Sequence, residues 1–199
     1  AVQRLRIASR LIYLVCLVAS LAILGVACAA LVRGADAADT LWLPVGLPWI
    51  GAHFRLDALA AFFLLVANLG AAGASLFALG YGRHETSPGR VLPFYPAFLA
   101  SMNLVVLADD AFTFLFAWEF MSLSSWALVM THHRDADNRR AGFIYIVMAS
   151  FGTLSLLMAF GLLAGPDGSY TFAEMRGAAH AQWLPSLVLF LTLLGAGSK

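Results

Sequence analysis

Charged residues fall along this chain in clusters, and the stretches between the clusters are long and apolar. Six such stretches stand out, at residues 11–32, 58–80, 91–108, 111–131, 142–164 and 183–199. Each is close to the roughly 20 apolar residues that a helix needs to cross a hydrocarbon core about 30 Å thick. A lipid-facing barrel would instead show alternating segments of about 10 residues. The pattern predicts an all-α, polytopic bundle of about six spanning helices, forming a single transmembrane domain over residues 1–199.

The first stretch has the flanks of a signal peptide, with Arg4, Arg6 and Arg10 ahead of it and Ala27-Cys28-Ala29 near its end. A signal-peptide core is only about 7–15 residues long, however. This run is longer and five more follow it, so it reads as an uncleaved membrane helix. Arginines set the orientation. With the first residue cytoplasmic, eight fall inside (Arg4, Arg6, Arg10, Arg83, Arg90, Arg134, Arg139, Arg140) and three outside (Arg33, Arg55, Arg176). The expectation is a multi-pass protein of the cell (inner) membrane that begins inside.

Between the spans, residues 35–53 hold Trp42, Trp49, Pro44 and Pro48 and read as an aromatic, proline-fixed loop at the outer interface. Asp109-Asp110 makes a very short outer turn. Residues 132–140 read as a solvated cytoplasmic connector, and residues 169–174 as a short interfacial helix.

Composition supports the membrane assignment. The 199 residues are 61% hydrophobic and 12% charged, with mean hydropathy +0.84. Soluble domains run at about 45–50% apolar and about 25% charged. A formal net charge of +1 gives no reason to expect a nucleic-acid partner. Cys16 and Cys28 lie in one apolar run without CxxC spacing and read as small apolar residues, and the five histidines form no HExxH frame, which leaves haem ligation by the adjacent His132-His133 with little support. The chain starts without Met and stops at Ser198-Lys199 directly after an apolar run, which reads as a piece of a longer protein.

Two charges fall within the apolar stretches. Glu119 is near the middle of 111–131, at a depth where insertion of an acid costs roughly 2.5–3.5 kcal/mol. Its neighbours on the helix are Phe112, Leu115, Phe116, Leu123 and Trp126, with Ser122 one turn on as a hydrogen-bond donor. A carboxylate there is balanced between burial, which favours its neutral form, and any nearby cation, which favours the charged one. Such a group binds and releases protons; the bland reading is a hydrogen-bonded Glu gluing helices together. Lys199 ends a run that starts near Trp183, and at about 1.5 Å per residue it reaches well into the bilayer. Gly195-Ala196-Gly197-Ser198 before it is a weak helical stretch, where a broken helix would expose backbone ends at mid-depth. The alternative is a lysine snorkelling to an interface. Asp57, nearly in phase with Asn68, reads as a helix-terminal residue with a proton-access role as its alternative. Asn103 and the Ser150/Thr153 pair read as helix-packing contacts.

The stretch Leu104-Val105-Val106-Leu107-Ala108-Asp109-Asp110 followed by Phe116-Ala117-Trp118-Glu119-Phe120-Met121-Ser122-Leu123 resembles the antiporter-like subunits of complex I and related complexes. Phe54-Arg55-Leu56-Asp57-Ala58-Leu59 and Gly195-Ala196-Gly197-Ser198-Lys199 agree with it. Within that family, Ala78-Leu79-Gly80-Tyr81-Gly82 and Asn103 are most similar to the component B branch of hydrogenase-4 and formate hydrogenlyase complexes. The resemblance implies that Glu119 is the mid-membrane glutamate and Lys199 the lysine on a broken helix that pairs with it; Asp57 and Ser122 are candidates for proton access or support on their own chemistry. It implies a chain without cofactors or a catalytic redox centre of its own. The redox chemistry would sit in peripheral-arm hydrogenase or dehydrogenase subunits, with other membrane-arm subunits as neighbours in the lipid bilayer. Family members carry one more helix ahead of the first span and further helices after Lys199, so the chain would lack both ends.

Three functions follow as expectations. The first is a proton-translocating membrane-arm subunit of an energy-converting hydrogenase or NADH-quinone oxidoreductase-type complex, coupling redox energy to proton transport. The second is a subunit of a multi-subunit Na+/H+ antiporter, with Na+ as the alternative ion. The third is a membrane scaffold in which Glu119 only knits helices.

Overall fold

The structure is a computed structural model. It describes residues 2–34, 38–46, 50–82, 88–165, 168, 170–178 and 181–199, with side chains from residue 7 onward. Trp49, Pro48, Arg83 and the early arginines Arg4 and Arg6 therefore fall outside the described side chains.

In lipid each backbone N–H and C=O must find a partner within the chain, which helices provide segment by segment. Helix α1 covers Val2–Arg33, α2 Ala58–Tyr81, α5 Ala111–Val129 and α6 Ala136–Ala164. The third expected span is interrupted: α3 (Pro88–Val91) and α4 (Phe94–Leu107) are separated at Leu92-Pro93. Proline lacks the N–H that would carry the helix through. Among the described residues five helical segments are long and apolar enough to cross a membrane, Ile7–Arg33, Ala58–Tyr81, Pro88–Leu107, Ala111–His132 and Ala136–Ala164. The sixth expected segment holds α8 (Leu184–Gly197), 14 residues or about 21 Å at 1.5 Å per residue.

The helices pack in sequence, α1 on α2, α4 on α5, α5 on α6 and α6 on α8. Large apolar side chains such as Phe77, Phe116, Phe143 and Phe190 face outward, while Ala61, Ala117, Ala159, Ser75, Ser101 and Asn68 are buried. This arrangement suits lipid, where small and polar side chains let helices approach and bond. Asn68 Nδ2 donates to Asn103 Oδ1 at 2.6 Å, clamping α2 to α4.

Residues 38–46 and 50–53 contain more order than the sequence suggested. Strands β1 (Asp39–Leu43) and β2 (Ala52–Leu56) form an antiparallel hairpin, with Asp39 opposite Leu56 and Leu43 opposite Ala52. Pro44 ends β1. The turn closes at Gly51, whose φ of +73° suits glycine, and a Cβ there would sit 2.8 Å from the Leu43 carbonyl. Trp42 Nε1 donates to the Ile50 carbonyl at 3.2 Å across it.

The hairpin, the Asp109-Asp110 turn and the segment before α7 (Phe172–Gly177) are tied together at one end of the bundle. Asp109 N donates to His53 O at 2.9 Å, Phe172 N to Asp109 O at 3.1 Å, and Ala111 N to Tyr170 O at 3.0 Å. Helix α7 starts later than the interfacial helix expected at 169–174, because Thr171 caps it. At the opposite end, Arg90 of α3 meets His133, just past the 3-10 turn Met130–His132. Alternate connections thus lie on opposite ends. Residues 132–140 are not all connector, since α6 begins at Ala136.

Candidate functional site

Helix α5 is anchored at its start by Asp110, which is fully buried. Its Oδ1 accepts from Thr113 N at 2.7 Å, capping the helix, and its Oδ2 accepts from Thr113 Oγ1 at 2.6 Å and from His53 N at 2.9 Å. The His53 imidazole lies 3.6 Å from the same oxygen. From that anchor, Glu119 is eight residues beyond Ala111, about 12 Å into the bundle.

Glu119 faces α6. Thr153 Oγ1 donates to Glu119 Oε1, and the same hydroxyl lies 3.2 Å from the Ala149 carbonyl, an acceptor within its own helix. One turn past Glu119, Ser122 is fully buried and donates to the Trp118 carbonyl at 2.8 Å.

Helix α8 descends from the hairpin end and brings Lys199 to this level. The ammonium donates to Ser122 Oγ at 2.5 Å and to Trp118 O at 3.2 Å, and sits 4.3 Å from the centre of the Trp118 ring, in cation–π contact. Among the described residues no carboxylate lies within 4.0 Å of it. Lys199 and Glu119 are neighbours across one turn of α5, each held by a different partner.

Two glycines make this approach possible. A Cβ on Gly152 would lie 2.7 Å from the Gly195 carbonyl and would meet the Ser198 hydroxyl; one on Gly195 would lie 2.6 Å from Leu156 Cγ. Helices α6 and α8 therefore touch backbone to backbone, and α6 carries Thr153 at the crossing.

Of the sequence-predicted residues, Glu119, Ser122 and Lys199 converge and Asp57 stands apart. Asp57 caps α2, accepting from Ala60 N at 2.9 Å, and accepts from Arg55 at 2.5 Å and 3.1 Å. The Ala60 amide, followed by Arg55, holds the Asp57 carboxyl below the usual aspartate range, and the Asp57 bond holds the Arg55 guanidinium above its own. Two contributors were not legible as site residues. Thr153 read as a packing contact, and Asp110 as part of a turn. A hydroxyl at a helix crossing and an acid just before an apolar helix were their only signals. Among the described residues no three His, Cys, Asp or Glu gather into a group that could hold a metal ion.

The family model described as NADH:quinone oxidoreductase/Mrp antiporter, transmembrane, matches residues 108–199, which contain the Glu119–Thr153–Lys199 site. Hydrogenase-4 component B of Escherichia coli is 36% identical over 147 residues, covering 73% of this chain and 22% of that protein. The chain is similar to antiporter-like membrane subunits. Two solved structures share the fold. The Mrp complex from Dietzia sp. DQ12-45-1b superposes with TM-score 0.76 at 25% identity, over 94% of this chain and 35% of that one. The membrane-bound sulfane sulfur reductase, an archaeal respiratory membrane complex, superposes with TM-score 0.73 at 17% identity, over 98% of this chain and 42% of that one, and shares the fold. This antiporter-like chain spans about a quarter of the length of the curated relatives it matches.

Chemically, the site holds an acid, a base and three hydroxyl or carbonyl partners inside an apolar bundle. A carboxylate and an ammonium that are close but not paired are the components of a proton switch, since small motions change how strongly each charge stabilises the other.

Proposed function

We propose that this chain is part of a proton-translocating membrane-arm subunit of an energy-converting complex of the hydrogenase-4 or NADH-quinone oxidoreductase type. It lies in the cell (inner) membrane as one transmembrane domain, with its first residue cytoplasmic and its partners being other membrane-arm subunits and a peripheral redox arm. The observation that carries the reading is that Lys199 rests on Ser122 and Trp118, one turn from Glu119, without pairing with its carboxylate.

Together, the two charges stabilise each other; apart, burial favours the neutral form of each. When the Lys199 ammonium swings from Ser122 toward Glu119, both groups are held charged. When it swings back, burial favours a neutral Glu119, which takes up a proton, and a neutral Lys199, which passes its proton onward to a base elsewhere in the full-length subunit. A one-unit change in proton affinity is about 1.36 kcal/mol, so modest movement redirects a proton. Asp57 serves as support, fixing the start of α2, and Ser122 as the resting partner of the lysine.

Likeness to the Mrp complex favours a second reading, a subunit of a multi-subunit Na+/H+ antiporter. The two separate in liposomes that contain the full complex. Redox-driven acidification that persists without sodium supports the first reading. Transport that requires a sodium gradient and ignores redox substrates supports the second.

A further inference from the structure

At the end of the bundle opposite the hairpin, a cavity of about 650 Å³ opens beside α3, the 3-10 turn and the start of α6. Its lining includes Arg90, His133, Arg134, Asp135 and Asn138. The Arg90 guanidinium contacts the His133 ring nitrogen. Guanidinium only donates, so His133 meets it with a lone pair, and among the described residues the remaining N–H groups of Arg90 have no partner. Arg134 is exposed.

Among the described residues the lining sets one carboxylate against the two guanidinium groups of Arg90 and Arg134. Asp135 is the acid in the lining, and its Oδ1 already accepts from Asp137 N at 3.0 Å as the cap of α6. Among the described residues, Arg90, Arg134, Arg139 and Arg140 have no carboxylate within 4.0 Å. Arg139 is turned to the loop itself, donating to the carbonyls of His133 at 3.1 Å and Arg134 at 3.0 Å. The loop is thereby held in shape while Arg90 and Arg134 face an open concavity. A concave site with two guanidinium groups, whose one carboxylate among the described lining residues already caps a helix, suits an oxyanion.

Position selects among oxyanions. The cavity lies where α5 ends and α6 begins, at the boundary of the spanning segments, and Val129, Phe143 and Ile144 are exposed further into the bundle's depth. A phosphate at the cavity and acyl chains along those side chains fit one molecule. We propose that this pocket binds the phosphodiester headgroup of an anionic phospholipid, with Arg90 and Arg134 as its cationic partners. Basic pockets at the ends of spanning helices recognise such headgroups through the same electrostatics. The site is separate from Glu119 and Lys199 and stands whichever ion the subunit carries.

The test is native mass spectrometry of the detergent-purified full-length protein with phosphatidylglycerol, phosphatidylcholine or inorganic phosphate. The expected result is preferential retention of phosphatidylglycerol, undisturbed by millimolar inorganic phosphate. Arg134 makes no described side-chain bond, so Arg134→Gln leaves the fold alone and should weaken phosphatidylglycerol binding about fivefold. Arg90→Gln with Arg134→Gln should weaken it about thirtyfold, and the double lysine variant should stay within a few-fold of the parent. Arg33→Gln, at the opposite end, should change nothing. Unchanged retention in Arg134→Gln, or an equal loss in Arg33→Gln, overturns the site. Displacement by inorganic phosphate overturns the lipid as its source.

Discussion

The ammonium of Lys199 rests 2.5 Å from the hydroxyl of Ser122, one helical turn beyond Glu119. Ser122 is fully buried and already donates its own proton to the Trp118 carbonyl, so its oxygen is free only to accept. The lysine thus has a resting place that is polar, oriented and uncharged. A resting place of that kind lets the lysine part from Glu119 without leaving its ammonium unsolvated.

Thr153 is the counterpart on the other side of the pair. Thr153→Val keeps the shape and removes the donor to Glu119. A hydrogen bond to a charged group is worth about 1.5–3 kcal/mol, so proton transport by the full complex should slow by at least about tenfold. Thr153→Ser should restore most of it. Equal rates for the valine and threonine proteins would remove Thr153 from the mechanism.

Gly152 and Gly195 set where the lysine sits. Gly152→Ala pushes a methyl group into the Gly195 carbonyl and the Ser198 side chain, and should cost about 1–3 kcal/mol as well as proton transport. Gly161→Ala, on the same helix with nothing within 4 Å of its Cβ, should be neutral in thermal unfolding and in transport.

Asp110 fixes the depth of Glu119 by anchoring α5. Asp110→Ala leaves the Thr113 and His53 amides without their carboxylate and should destabilise the protein by about 3 kcal/mol, read as a lowered thermal midpoint. Asp110→Asn, which still caps, should lose less.

Asp57 makes a pH-dependent contribution. Its carboxyl is held below the usual aspartate range by the Ala60 amide and Arg55, so its stabilisation is complete above that range and is lost as pH falls through the lowered value. Asp57→Ala should cost about 1 kcal/mol at neutral pH, with the gap to the parent protein closing in strong acid. Asp57→Asn should keep most of the cap and transport protons normally. A block of transport in Asp57→Asn would give the residue a direct role in proton access.

The helices and the two intramembrane charges were legible because lipid makes their sequence signal strong: apolar runs are long, and an acid such as Glu119 is conspicuous among them. Ser122 was legible from helical spacing alone. The hairpin was not, because Pro44, Pro48 and Gly51 mask two five-residue strands whose pairing depends on contacts with the Asp109-Asp110 turn. Thr153 could not be tied to Glu119 from sequence, for their meeting depends on where α6 crosses α5. Asp110 looked like a surface turn, and only the fold buries it.

The central claim is that Glu119 carries a proton, and Glu119→Gln in the full complex, reconstituted in liposomes, tests it most directly. Redox-driven proton transport should be abolished while assembly and peripheral electron transfer continue, and Glu119→Asp should keep part of the activity. Wild-type proton transport in Glu119→Gln would contradict the account and leave Glu119 as an acid that only knits α5 to α6.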